Sequence, residues 1–104
     1  MIFGSSDDNA IFESDEKMET MSEKLKALGH PKRLLIINLL KRHKKLTVKE
    51  LQEHLNLGQA TTSNHLKILK DQELVVFQRD GNSKYYLLKY RQLGKIIRQI
   101  GKYY

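Results

Sequence analysis

The chain has no cysteine in its 104 residues, and that absence removes several chemistries at once. Disulfide stapling, thiolate ligation of soft metals and thiol redox sensing through these residues are all excluded. The compartment then cannot be read from disulfides, and nothing demands an oxidising one. No apolar run approaches a membrane span, and the start, Met1-Ile2-Phe3-Gly4-Ser5-Ser6-Asp7-Asp8, has neither the basic leader nor the apolar stretch of a signal peptide. A cytoplasmic location is the expectation. Catalytic signatures are missing as well: there is no G-x-S-x-G elbow, no phosphate-binding glycine loop and no concentration of His with carboxylates. No enzyme is expected, and no catalytic residue or cofactor is assigned. The four histidines, His30, His43, His54 and His65, fall one to each element with no ligand pair at helical spacing, so no metal site and no metal response are expected. His65 lies beside the apolar face of its helix and is expected to be a partly buried, hydrogen-bonded imidazole.

What is present is ordered. Thr47-Val48-Lys49-Glu50 has the spacing of a capping box, in which a Thr hydroxyl and a Glu carboxylate each satisfy a backbone N–H at a helix start. Val48, Leu51 and Leu55 then form one apolar stripe until Asn56-Leu57-Gly58 interrupts it. The next helix, from about Gln59 to Lys70, is unusual in composition. Its apolar face is carried only by Leu66 and Leu69, with Thr62 one turn earlier, while Gln59, Ala60, Thr61, Ser63, Asn64 and Lys67 occupy the rest. A helix that is merely solvated carries Glu and Lys; Thr, Ser and Asn lower helix propensity. In a DNA major groove, small side chains allow close approach, Gln or Asn can pair bidentately with adenine, and Ser and Thr can meet several base edges. After this helix, Leu74 to Arg79 and Lys84 to Leu88 are rich in β-branched, aromatic and aliphatic residues and flank Asp80-Gly81-Asn82-Ser83, a hairpin signal. Arg79, Asn82 and Lys84 stand at its tip, where a wing would meet phosphates or a minor groove. A helix, a turn, a polar helix and a basic hairpin in that order are the layout of a winged helix-turn-helix.

The formal charge of +7 hides a division. Residues 1–23 hold seven acids against Lys17 alone, which leaves −6, so residues 24–104 carry +13. A basic body of that size attracts phosphate in a salt-dependent way. Residues 1–14 are polar and acidic and are expected to form a flexible tail, with one domain over residues 15–104.

The flanking segments carry apolar stripes. Met18, Met21, Leu25 and Leu28 recur at helical spacing up to Gly29, a C-terminal cap, and Pro31 suits the first turn of a helix running to His43. Leu34, Leu35, Ile36, Ile37, Leu39 and Leu40 cover most of that helix, which places it at the centre of a core. The last segment repeats Tyr90, Leu93, Ile97, Ile100 and Tyr104, with Ile96 widening the stripe. Because the middle helices already supply a core, Met18, Met21, Leu25, Leu93, Ile97 and Ile100 are expected to form a two-fold dimer interface. Such a homodimer would set two recognition helices in successive major grooves of double-stranded DNA. The expected fold is mainly α with a small β-hairpin: five helices, the hairpin between the fourth and fifth. A winged-helix adaptor that binds protein or RNA is the alternative, and whether a small-molecule or protein effector acts on the chain is left open.

Ala27-Leu28-Gly29-His30-Pro31-Lys32-Arg33-Leu34-Leu35-Ile36, followed by Leu51 to Leu57, by Gly58-Gln59-Ala60-Thr61-Thr62-Ser63-Asn64-His65-Leu66-Lys67 and by Leu69 to Val75, resembles the ArsR/SmtB class of bacterial repressors over residues 20–103. The resemblance implies a homodimeric winged-helix transcriptional regulator, commonly a repressor, whose outer helices dimerise and whose fourth helix reads an operator. It also implies that Gln59, Ala60, Ser63 and Asn64 face bases or phosphates and that Thr62 faces inward. Asn64 stands where many relatives have His, Ala60 where many have Ser and Glu73 where Gly is frequent; these departures bear on the operator sequence, not on the fold. The Cys pair of the class's arsenic and cadmium sensors would fall near Val48 to Leu51, where this chain has no thiolate. The Asp, His and Glu ligands of its zinc and nickel sensors have no counterpart in Tyr90 to Ile100.

Overall fold

The structure, a computed structural model, describes residues 14–103. The predicted acidic tail up to residue 13, and Tyr104 of the terminal stripe, lie outside the described residues. Helix α1 (Asp15–Leu28) is followed by α2 (Pro31–His43), β1 (Lys45–Thr47), α3 (Val48–Leu55), α4 (Gln59–Asp71), β2 (Val75–Asp80), β3 (Ser83–Leu88) and α5 (Gln92–Tyr103). The five helices and the hairpin match the expected fold. A third strand does not appear in that expectation: β1 pairs antiparallel with β3, Leu46 opposite Tyr86, so the sheet order is β1-β3-β2.

Helix starts follow the capping signals. Ser14 accepts from the Lys17 N–H and His30 accepts from the Lys32 N–H, with Pro31 in the first turn of α2. Thr47 and Glu50 form the capping box reciprocally: Thr47 Oγ1 accepts from the Glu50 N–H at 3.1 Å, and Glu50 Oε1 accepts from the Thr47 N–H at 2.9 Å. The Thr47 N–H and, at 3.0 Å, the Thr47 hydroxyl both donate to Glu50 Oε1, and these two bonds stabilise the charged carboxylate and lower its pKa. Asn56 ends α3 in the left-handed conformation, which Asn tolerates better than most residues. In the hairpin, Gly81 takes φ +63 while Asn82 keeps a negative φ, the backbone of a II′ turn that only glycine enters without cost.

The core is one cluster around α2. Ile36, Ile37 and Leu40 are fully enclosed by Leu51 and Leu55 of α3, Leu66 and Leu69 of α4 and Val75 of β2. Leu34 is the exception to the all-round burial expected of α2; it remains at the surface. Three cations bind helix ends across the core. Arg33 donates to the Ala27 carbonyl at 2.9 Å, Lys32 to Leu55 at 3.0 Å and Lys24 to Gln72 at 2.6 Å. Each satisfies a carbonyl left unpaired at the end of a helix. Part of the basic excess therefore holds the helices together rather than facing outward.

Candidate nucleic-acid interface

Helix α4 is held from below. Thr62, His65, Leu66 and Leu69 are buried, while Gln59, Ala60, Thr61, Ser63, Asn64 and Lys67 are all exposed. Its lower stripe fixes which residues face out, because positions three and four apart share a side of the helix. Unlike α1, α2 and α3, it starts at Gly58 with no side-chain cap. The N–H groups of its first turn are therefore not occupied by a side chain, a geometry suited to phosphate. Lys67 is less free than its position implies, since its ammonium lies 2.7 Å from Asp71. That exposed pair is worth a few tenths of a kcal/mol and yields readily to a phosphate.

Strand alternation sets the wing. Val75, Phe77 and Arg79 share one face of the hairpin with Lys84, Tyr86 and Leu88, and on that face Val75 and Leu88 are buried. Arg79 and Lys84 are direct cross-strand partners, so the two predicted wing cations project from the same face of the sheet as its buried residues. Lys84 is half-buried, and its ammonium rests 4.2 Å from the centre of the Phe77 ring. Arg79 and Asn82 are exposed.

One depression of about 640 Å³ joins these elements. It is lined by Thr47, Val48, Lys49 and Gln52 of the α3 start, Gln59 of α4, and Ser83 and Lys84 of the wing. The geometry thus brings Gln59 and Lys84, predicted separately, to one surface. It also adds Lys49 and Gln52, two residues in the first turns of the capped helix whose sequence pattern carries no nucleic-acid signal of its own.

The histidines are not scattered in space. His30 and His65 rings lie 4.6 Å apart and His43 and His54 rings 5.2 Å apart, but no group of three His, Asp or Glu among the described residues could hold a metal ion. His65 is buried as expected, yet its Nδ1 has no hydrogen-bond partner among the described residues, which corrects the expected hydrogen-bonded imidazole. The neighbour it finds is His30, with Arg33 beyond; burial first, then these two basic groups, push the His65 pKa down.

A segment with these elements in this order resembles known regulators in both sequence and structure. Residues 30–76 match the family "Bacterial regulatory protein, arsR family". The arsenical resistance operon repressor of Staphylococcus aureus is 39% identical over 80 residues, 77% of this chain and 76% of that protein. The transcriptional repressor PagR of Bacillus anthracis is 37% identical over 89 residues, and its crystal structure superposes with a TM-score of 0.74 and 32% identity over 84% of this chain and 99% of that one. NolR from Sinorhizobium fredii gives a TM-score of 0.76 at 29% identity, covering 99% of this chain and 97% of that structure. The chain belongs to the ArsR family. It is a winged helix-turn-helix, DNA-binding transcriptional regulator and not an enzyme.

This ArsR-family chain also leaves a second surface bare. On α1, Met18 and Leu25 are exposed and Met21 is half-buried. On α5, Leu93 and Ile97 pack against the chain's own core, whereas Ile96, Ile100 and Tyr103 face outward. The expected α5 stripe is thus divided, one side inward and one side free. Helix α5 crosses α2 closely at Gly94, where an added Cβ would come within 2.7 Å of the Lys41 side chain, its Cβ included. No helix among the described residues is long and apolar enough to cross a membrane.

Proposed function

We propose that this regulator is a cytoplasmic repressor that binds a pseudo-palindromic operator in double-stranded DNA as a homodimer, with residues 15–104 as the binding and dimerising domain. Gln59, Ala60, Thr61, Ser63 and Asn64 face the major groove, Gln59 and Asn64 as base readers. Lys67, Arg79, Asn82 and Lys84 meet the backbone, joined by Lys49 and Gln52. The observation that carries this reading is the shared depression, where the uncapped start of a polar helix, the first turns of α3 and a wing cation meet at one surface. Helix-turn-helix proteins place a second helix in the groove while the preceding helix crosses the backbone, which gives Lys49 and Gln52 their part.

Exposed Met18, Leu25, Ile96, Ile100 and Tyr103 support dimerisation through α1 and α5, with Met21, Leu93 and Ile97 behind them. Similarity to an arsenical repressor does not bring arsenic sensing with it, because these 104 residues contain no thiolate to ligate the metalloid. Selection of bound sequences from random duplexes at two salt concentrations tests the reading. A two-fold symmetric motif is the expected result; a selected pool with no enriched sequence would point instead to an adaptor role.

A further inference from the structure

We propose that Phe77 is a positioning residue for DNA binding, whose ring holds the wing cation Lys84 and the helix cation Lys70 in a fixed relation; the inference rests on the wing contact proposed above. Phe77 is 39% exposed although it is a large aromatic in the middle of β2, and it faces Tyr86 across the strands with ring centres 6.2 Å apart. Apolar burial alone does not account for it. Its other neighbours are two ammonium groups: Lys84 lies 4.2 Å from its ring centre and Lys70, on the last turn of α4, lies 5.3 Å away. Lys84 is also 5.2 Å from the Tyr86 ring.

Neither lysine has a carboxylate partner among the described residues, whereas Lys67 and Lys89 both do. The aromatic faces are therefore what localises these two charges, by attraction between a cation and the ring quadrupole. A lysine that must be ordered on meeting a phosphate loses several rotatable bonds' worth of freedom. A ring that orders it in the free protein removes part of that cost. Arg79, the cross-strand partner of Lys84, has no such seat among the described residues, so of this cross-strand pair only Lys84 is held by a ring. Because Lys70 belongs to α4 and Lys84 to β3, the same ring ties the reading helix to the wing.

The test compares wild type, Phe77→Leu, Phe77→Trp, Lys84→Ala and the Phe77→Leu/Lys84→Ala double variant on cognate and random duplexes, with thermal melting of each protein. Phe77→Leu is expected to weaken both duplexes by about threefold to tenfold, Phe77→Trp to restore binding, and Phe77→Leu to have a smaller further effect once Lys84 is Ala, when Lys70 is the cation left for the ring to release. In the wild-type protein, the Lys84 side-chain methylene protons should show upfield ring-current shifts by NMR. Lys84 protons at random-coil positions in the wild type would overturn the proposal whether or not the variants fold. So would a Phe77→Leu loss of the same size with and without Lys84, or Phe77→Leu binding like wild type while Lys84→Ala is weakened; that last result leaves the wing contact standing. If neither Lys84→Ala nor Phe77→Leu changes binding to any duplex, the wing contact itself fails and Phe77 with it.

Discussion

Helices α4 and α5 are nearly equal in length, and both carry an apolar stripe, yet they dispose of it in opposite ways. In α4 the stripe is spent inward: Thr62 is 0% and Leu69 0% exposed, and everything outward is small or polar. In α5 only Leu93 and Ile97 reach the core, while Ile96, Ile100 and Tyr103 are 56%, 54% and 70% exposed. An outward face of hydrogen-bonding groups suits a hydrated, charged polymer. An outward face of Ile and Tyr suits another protein surface, where the return comes from removing apolar area from water.

The largest test of that contrast is Ile96→Glu/Ile100→Glu. Burying such side chains at a two-fold interface counts each residue twice, so the double variant should cost on the order of 5 kcal/mol of association. Sedimentation should find a monomer, with operator binding lost at concentrations where wild type saturates; an unaltered dimer would remove α5 from the interface. Next, Gln59→Ala or Asn64→Ala should lose about 1 to 3 kcal/mol for each half-site of the cognate operator and little on random DNA. Arg79→Ala should weaken all duplexes alike and reduce the salt slope by roughly 0.9 for each subunit, about 1.8 for the dimer. Equal losses on cognate and random DNA for both kinds of variant would collapse the division between reading and anchoring.

A smaller effect is expected at Thr47→Ala, which removes one half of the capping box and should destabilise the fold by about 1 kcal/mol. Its ratio of cognate to random binding should stay unchanged, because the cap orders α3 without reading bases. The smallest effect near neutrality concerns His65. Its folded-state pKa lies below the ordinary value of 6.5, so the unfolded chain takes up the proton more readily. The stability this gives is complete above that value and is lost as pH falls below it. His65→Gln should therefore show a flatter loss of stability than wild type in melts taken below pH 6.5, and a parallel decline would sink the assignment.

Much of the reading side was legible because its signals are local. The capping box, the Asn56 break, the Gly81 turn and the Thr62, Leu66, Leu69 stripe each lie within a few residues. Strand β1 was not legible: three residues with only Leu46 buried give no alternation, and their partner Tyr86 lies 40 positions away. The histidine pairs were hidden for the same reason, since each joins two elements. On α5 the stripe was visible, but which of its sides the core would take depends on how that helix lies against α2. The structure also shows why Gly is frequent at the position of Glu73: its φ of +58 is a conformation that glycine enters freely and a Glu enters at a cost. A Glu73→Gly variant should accordingly gain thermal stability, less whatever its ion pair with Lys89 contributes.

In the proposed dimer, Gly94 sets the gauge. With α5 pressed onto α2 at that point, the distance from the outward face of α5 to the body that carries α4 is set by a methyl group that is not there. Gly94→Ala would lift α5 away from the body and move the two recognition helices relative to each other. A palindrome is read correctly only when its halves and the protein's two heads keep the same stride. The variant should therefore shift the preferred spacing between half-sites while leaving the bases within each half unchanged.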